Sequence, residues 1–317
     1  MSAIRAAVVG VGAFGRNHVR VIRGFDDVEL VGVVDVDPER AQIVAADYGA
    51  PAFESIDRLA GRLDAAIIAT PTATHGEIAH RLLDAGVDVL IEKPITSTSE
   101  DGAALARLAE ERGRILQVGH LERFNPAVMA LEGVVTLPLF FEIHRLSVFT
   151  PRSLDIDVVL DLMIHDLDIV LSLTRTVPVD ISAAGISVLS RQVDIANVRL
   201  SFANGCVANL TASRVSTERV RKLRLFQPGE YISLDYERQQ VFRLGVLQKD
   251  FRSDLLEVER AEPLALELAA FFECVRTRQR PRVDGLDAVN VLRVAEAIVA
   301  KMKEHGELVS ATLRGRK

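Results

Sequence analysis

The chain has no tryptophan, and only three tyrosines and thirteen phenylalanines among 317 residues. Apolar residues nevertheless make up 49% of it, so any core must rest on Val, Leu, Ile and Ala. Cysteine is nearly missing: Cys206 and Cys274 stand far apart, which argues against a disulfide framework and for a reducing compartment. There is no paired-cysteine or His-Glu-x-x-His element, and the seven histidines are scattered, so no metal is expected. No apolar run reaches the ~18 residues that span a bilayer, and no membrane role is expected. The opening MSAIRAAVVGVG lacks the long apolar centre of a secretory leader, so the expected location is cytoplasmic. Strong charge of either sign is also lacking. The net charge is -6, with no acidic or basic tail. Nucleic acid is therefore not an expected partner, although a small anionic ligand needs only a few local Arg or Lys residues. There is no internal repeat and no low-complexity linker.

What is present begins as an alternation. Short apolar runs at 4–9, 30–34, 65–69 and 87–91 are interleaved with helical patterns near 15–23 and 77–84. A charged helix over 100–112 leads to another strand at 115–118. Such alternation predicts a parallel sheet covered by helices. After Gly119 the rhythm changes. One helical pattern, 158–173, precedes strand-like stretches at 180–187, 197–202, 207–212, 221–226, 231–236 and 240–244. Ala-Asn-Gly at 203–205 and Gln-Pro-Gly at 227–229 mark turns. Helical patterns at 264–276 and 287–305 close the chain. At ~150 residues per domain, two domains are expected. The expected class is α/β: a doubly wound parallel sheet of Rossmann type over 1–119, then an α+β domain over 120–317 with a large, mostly antiparallel sheet. The last helices are expected to pack back toward the first domain.

The segment AAVVGVGAFGRNHVRVI contains Gly10-x-Gly12-x-x-Gly15. Alone this spacing is a weak signal. Here a strand precedes it, a helix follows it, and Asp35 ends VELVGVVD 20 residues beyond Gly15, where a dinucleotide fingerprint places its acid. Gly10 permits the tight turn, Gly12 lets a pyrophosphate approach the backbone, and Gly15 lets the helix pack on the strand. The helix start at Ala13 and Phe14 offers unpaired N–H groups to phosphate. Asp35 can accept both hydroxyls of an adenine ribose and would repel a 2′-phosphate. Val36, Asp37 and Pro38 bring no positive charge, so NAD is expected rather than NADP. The plainer reading, glycines as turn punctuation and Asp35 as a helix cap, leaves the coincidence of strand, helix and acid unexplained.

Two further motifs carry chemistry. Glu92-Lys93-Pro94 follows the apolar strand VDVLI, and ligands of such sheets bind at the carboxyl ends of strands. Lys93 could hold a substrate hydroxyl and offset charge growing on its oxygen; otherwise it is a surface lysine in a loop. In DVVLDLMIHDLDIVLSL, Asp161, His165 and Asp168 stand at i, i+4 and i+7, one face of an α-helix. Among so many apolar neighbours a polar stripe must be paired or functional, unless that face is simply wet. His165 is a natural general base for an alcohol, and a neighbouring Asp could orient it.

With ATPTATH at 69–75 and the closing LELAAFFECVRTRQRPRVDGLDAVNVLRVAEAI, these motifs resemble, over the whole chain, the Gfo/Idh/MocA oxidoreductases (glucose–fructose oxidoreductase, inositol dehydrogenase and relatives). The resemblance implies that Lys93 is the active-site lysine, with a Lys93–Pro94 bond that is commonly cis. It implies that His165 is the catalytic histidine, Asp161 its companion, and that Thr70, Pro71, His75 and Glu92 line the cofactor cleft. The family often has Asn where Thr72 stands. It also implies an open-faced sheet used to form a homo-oligomer, a dimer or tetramer. GHLERFNP at 119–126, DVVLDLMIHDLDI at 157–169 and RVSTERVRKLRLFQPGEYISLDY at 214–236 resemble more closely the branch that oxidises UDP-N-acetylglucosamine at C3 for lipid A (lipopolysaccharide) amino sugars. A UDP-sugar needs cations for its diphosphate. Arg214, Arg219, Arg221, Lys222 and Arg224 form one basic cluster, and Arg123, Asn125 and Arg145 are alternative anchors. In an extended strand Arg221, Lys222 and Arg224 cannot all face one way, so some must meet solvent or another subunit. Two alternatives stay open: a dehydrogenase of a free polyol such as inositol, and a non-catalytic dinucleotide-sensing regulator.

Overall fold

The structure, a computed structural model, describes residues 3–59, 61–150, 156–247 and 250–314. By internal contacts the chain divides into two units. One comprises Met1–Phe124 with Glu262–Val289, the other Asn125–Ala261 with Asn290–Lys317.

In the first unit, runs rich in Val, Ile, Leu and Ala become strands β1 (Ile4–Val9), β2 (Val28–Val34), β3 (Ala52–Phe53), β4 (Ala65–Ile68), β5 (Asp88–Glu92) and β6 (Leu116–Gly119). They form one sheet in the order β3-β2-β1-β4-β5-β6, with every pair parallel. The chain winds outward from β1 to β3, then returns to β4 on the other side of β1, so the order reverses between β1 and β4. In a doubly wound sheet that reversal opens a crevice at the carboxyl ends of the strands. β4 is buried at every position, and β1 and β5 at all but one, as expected of strands covered on both faces. The connecting helices are α1 (Ala13–Ile22), α2 (Pro38–Tyr48), α3 (His75–Asp84) and α4 (Ser99–Glu111). α2, absent from the sequence reading, starts on the Asp37 side chain, which accepts from Arg40 N, and ends at Gly49 with φ 63, a conformation that suits glycine.

The second unit opens with α5 (Pro126–Glu132) and β7 (Phe140–Val148), followed by a π-helical turn (Val159–Met163) that runs into α6 (Ile164–Thr174). The chain then lays down β8 (Asp180–Ile186), β9 (Ile195–Ser201), β10 (Val207–Ser216), β11 (Val220–Gln227), β12 (Glu230–Asp235), β13 (Gln240–Leu247) and β14 (Asp250–Leu255). The order is β14-β13-β12-β11-β7-β10-β9-β8. Only β7 and β10 pair in parallel; the other pairs are antiparallel. Gly205 and Gly229, in the two turns read from the sequence, have φ 85 and 71. One face of this sheet is buried in a core that includes Leu131 of α5, Leu167 and Val170 of α6, and Ile143, Leu210, Leu223 and Ile232 of the strands.

Two helices complete the chain, α7 (Pro263–Thr277) and α8 (Gly285–Arg314). α7 belongs to the first unit, where Leu268, Phe271 and Phe272 share a core with Val19 and Ile22 of α1. Phe272 meets Phe25 edge-on, ring centroids 5.6 Å apart. Cys206 and Cys274 are buried free thiols, and burial pushes the pKa of both up, Cys206 to about 11. The expected class holds: a parallel Rossmann-type sheet plus a second, mostly antiparallel sheet. β7, which the sequence reading passed over, lies in the interior of the second sheet. Its inward positions are Phe141, Ile143 and Arg145, and the buried arginine breaks the apolar alternation that marks a strand.

Candidate active site

The three glycines of the turn after β1 have different surroundings. A Cβ on Gly10, which has φ 84, would lie 2.7 Å from the Ala69 carbonyl oxygen, and one on Gly15 would lie 1.8 Å from that of Gly10. A Cβ on Gly12 would meet nothing within 4 Å. The first two glycines hold the turn and the close packing of α1. Gly12 leaves open space where α1 begins, with no side-chain cap and no acid in its first turn. Ala13 and Phe14 are exposed there, Phe14 at 68%. Unpaired N–H groups beside open space fit a dinucleotide pyrophosphate.

Asp35 stands at the end of β2 and is 6% exposed. Its Oδ2 accepts from Val11 N at 2.9 Å and its Oδ1 from Asp37 N at 3.0 Å. A carboxylate has about four acceptor positions, so ribose hydroxyls can still be received. The carboxylate also locks the glycine turn to the end of β2. Val36, Asp37 and Pro38 bring no cation, but Arg40 reaches back: its Nη1 lies 3.3 Å from Asp35 Oδ1 and its Nη2 3.1 Å from Asp37 Oδ2. The positive charge at this edge thus comes from Arg40, beyond the three residues that directly follow Asp35. The first turn of α2 returns a side chain that linear reading had carried past the site.

At the next two strand ends, the structure builds a bracket. Thr70 and Pro71 follow β4, and Thr74 Oγ1 donates within this loop. His75 is 1% exposed. Its Nε2 lies 2.9 Å from the Thr70 carbonyl and its Nδ1 2.9 Å from the Pro94 carbonyl. Both nitrogens face backbone carbonyls, and the ring bridges the loop after β4 and the loop after β5. Glu92, Lys93 and Pro94 are half-buried, and the Lys93–Pro94 bond is cis.

Beneath Lys93 lies a buried polar group that the sequence reading missed. His18 Nε2 of α1 is 2.7 Å from Glu92 Oε1. Burial acts against the Glu92 carboxylate, but the hydrogen bond from His18, the fields of His18 and Lys93, and the Lys93 N–H hold its pKa below the usual range. A Cβ on Gly119 would lie 3.1 Å from Glu92 Oε2, so glycine leaves room for that side chain. Glu267 of α7 is fully buried, and among the described residues neither of its carboxyl oxygens has a hydrogen-bond partner. Burial, reinforced by the field of Glu92, raises its pKa well above the carboxylate range. His120 is also buried. Burial, then the charges of Lys93 and Arg123, push its pKa down to about 3, and its ring adds no charge beside Lys93.

In the second unit, the segment carrying Asp161 and His165 is not one uniform helix. Asp157 Oδ1 caps it, accepting from Val159 N at 2.8 Å and Leu160 N at 3.1 Å. Asp161 lies in the π-helical turn and His165 in the first turn of α6. A π turn is wider than an α turn and interrupts the 3.6-residue period; such insertions recur at functional sites. The expected stripe therefore divides: Asp161 and His165 are half-buried, whereas Asp168 is 1% exposed. Next to His165, Asp166 forms a bidentate pair with the buried Arg145, at 2.7 and 2.8 Å. Arg145 also lies over the Tyr236 ring, 5.0 Å from its centroid.

The cations considered for a diphosphate are mostly balanced within the fold. Arg214 is 5% exposed, donates to the Ile156 carbonyl at 2.5 Å and lies 3.8 Å from Asp194. Asp194 is fully buried. Burial opposes its charge, yet Ser190 and the N–H groups of Leu189 and Val188 bring its pKa down to about 2. Arg219 pairs with Glu237, Arg224 with Glu142 at 2.9 Å, and Lys222 lies 4.0 Å from Asp235. Asn125 caps α5 through Oδ1 and donates to the Tyr236 carbonyl at 3.1 Å. Arg221 is half-buried on β11, and Arg123, also half-buried, exchanges backbone contacts with Arg282 in the first unit. Lys93 and the cofactor residues belong to the first unit, Asp161 and His165 to the second. Glu267 alone left a visible signal, a single acid inside the apolar run PLALELAAFF.

Residues 4–120 match the family described as an oxidoreductase family with an NAD-binding Rossmann fold, and residues 141–227 match the GFO/IDH/MocA C-terminal domain. The chain is 38% identical to the UDP-N-acetylglucosamine 3-dehydrogenase of Acidithiobacillus ferrooxidans, over 92% of this chain and 95% of that protein. A solved structure of that enzyme superposes with a TM-score of 0.92 at 37% identity, covering 96% of this chain and 99% of the other. The scyllo-inositol 2-dehydrogenase (NAD(+)) of Bacillus subtilis is 28% identical over 93% of this chain and 92% of that protein.

Proposed function

The chain belongs to the Gfo/Idh/MocA oxidoreductase family, and from that premise we propose that it oxidises the C3 hydroxyl of UDP-N-acetylglucosamine with NAD. The product is the 3-keto UDP-sugar, which serves the cytoplasmic supply of an amino sugar for lipid A. The similarity to the Acidithiobacillus enzyme along nearly the whole chain carries this reading. The open cradle at Gly12 and the buried Asp35 carboxylate support the cofactor.

When bound, NAD supplies the hydride acceptor. Gly10, Gly12, Ala13, Phe14 and Gly15 would receive its pyrophosphate and Asp35 its ribose; Thr70, Pro71 and Glu92 would border it, and His75 holds two of the bordering loops together. In this mechanism His165 takes the hydroxyl proton as hydride leaves C3. Lys93 donates a hydrogen bond to the same oxygen and offsets the negative charge that grows there. Asp161 orients His165 or the sugar. Arg123 and Arg221 take the diphosphate; Arg214, already compensated by Asp194, holds the segment that leads into the helix of His165.

The enzyme is further read as a homo-oligomer through the open face of its second sheet. Phe140, Phe226, Tyr231 and Leu244 are cross-strand neighbours there, with Phe226 and Leu244 about 40% exposed.

The test is turnover. Purified protein should generate NADH absorbance with UDP-N-acetylglucosamine. K93A and H165N should still bind NAD while losing turnover by about 100-fold or more. Turnover on free inositol and none on the UDP-sugar would reassign the substrate. Full activity in either variant would remove that residue from the mechanism.

A further inference from the structure

α6 begins with a turn that is buried on every side, and burial alone specifies its rotation poorly. Asp166, Leu167, Asp168, Ile169 and Val170 are all buried, and five consecutive residues at steps of ~100° point in every direction around a helix. A helix buried all round can turn about its axis and still keep apolar side chains in the core. The segment before it adds to the ambiguity. Val159–Met163 forms a π-helical turn, which holds one residue more than an α turn. If that residue were squeezed out, everything downstream would rotate by ~100°. His165, two residues beyond the turn, would then point elsewhere.

Directional contacts at both ends remove the ambiguity. Upstream, Asp157 Oδ1 accepts from Val159 N and Leu160 N. Downstream, Asp166 receives the Arg145 guanidinium through Nε at 2.7 Å and Nη2 at 2.8 Å, and the two side chains are 1% and 2% exposed. Arg145 stands on β7, between β10 and β11 in the interior of the sheet, and the Tyr236 ring covers its guanidinium. A carboxylate meets this planar fork over a narrow range of orientations, so the pair is sensitive to the angle of the helix where apolar contacts are not. A buried ion pair adds little net stability over apolar side chains of similar size, and its best-attested use is to fix a register. We propose that the Arg145–Asp166 pair traps the π turn between two anchors and so sets the phase of His165. Arg145 is then a positioning residue for proton removal and not a ligand of the diphosphate. This rests on the proposed role of His165 as the base.

The experiment separates phase from stability in the full chain. R145M/D166V replaces the pair by apolar side chains and leaves neither charge of the pair buried without its partner. This variant folds, by far-UV circular dichroism and a single thermal transition, and binds NAD as the wild type does. Its kcat with UDP-N-acetylglucosamine falls about 100-fold, the scale of a misplaced catalytic group, while KM changes by less than about three-fold. Its crystal structure shows Val159–Met163 as an α turn and His165 rotated by about 100°. R145K, which keeps the charge and loses the fork, lowers kcat about ten-fold. A pair that only stabilised the fold would lower the unfolding midpoint and leave kcat of the folded enzyme unchanged. A folded double variant with kcat within about three-fold of the wild type, or with His165 unmoved in its crystal structure, overturns the proposal. If the double variant does not fold, a wild-type kcat in R145K overturns it. A wild type without turnover on the UDP-sugar fails the proposed function instead, and the crystal structure of the double variant then decides the phase by itself.

Discussion

His120 offers a quantitative test of the buried electrostatics beneath Lys93. It lies just beyond β6, is 1% exposed, and has its pKa lowered from 6.5 to about 3, chiefly by burial and then by the charges of Lys93 and Arg123. The folded protein therefore keeps this ring neutral at pH values where the unfolded chain protonates it. The sign follows: the contribution to stability is complete above pH 6.5 and is lost progressively as pH falls toward 3. Each pH unit in that window corresponds to about 1.4 kcal/mol, so going from pH 7 to pH 5 costs about 2 kcal/mol through this residue alone. H120Q removes the titrating group and keeps a polar side chain of similar reach. Urea unfolding of cofactor-free protein, followed by far-UV circular dichroism at both pH values, gives the comparison. The wild type should lose about 2 kcal/mol more than H120Q between them. Equal losses would mean that His120 protonates as readily in the folded state as in the unfolded one, and the buried-neutral description would fail.

Two further predictions follow from contacts. G12A should fold with stability within about 1 kcal/mol of the wild type, because its Cβ meets nothing within 4 Å, yet weaken NAD binding about ten-fold by entering the cradle. G15A, whose Cβ would lie 1.8 Å from the Gly10 carbonyl oxygen, should lose about 3 kcal/mol or more in stability; thermal unfolding and nucleotide titration separate the two, and similar behaviour would refute the distinction. The proposed homo-oligomer predicts that the double change F226D/L244D lowers the sedimentation coefficient to that of a monomer while the fold persists; a wild type that already sediments as a monomer, or an unchanged coefficient in the variant, would refute assembly through this face.

Much of the first unit was legible because its signals are local. The three glycines and Asp35 fall within one strand–helix–strand unit, and their spacing encodes a turn, a helix start and an acid at a strand end. The turns at Gly205 and Gly229 were legible for the same reason. β7 was not, because Arg145 occupies an inward position and reads as polar until Asp166 is seen to neutralise it. The helix of Asp161 and His165 was legible as a helix but not in its phase, since a π turn has no periodic signature in so short a segment.

The sequence by itself determined the repeating elements, the dinucleotide turn and the family resemblance, all of which depend on residues close along the chain or on motif order. Only the tertiary structure decided which charged groups remain available. Arg214 meets Asp194, Arg40 turns back to Asp35, and Glu267 joins the first unit from the far end of the chain to lie near Glu92. The physical reason is range. Backbone periodicity is set by neighbours a few residues away, whereas the charge state and partners of a side chain depend on burial and on ions brought near by folding, at separations in sequence that no local pattern records.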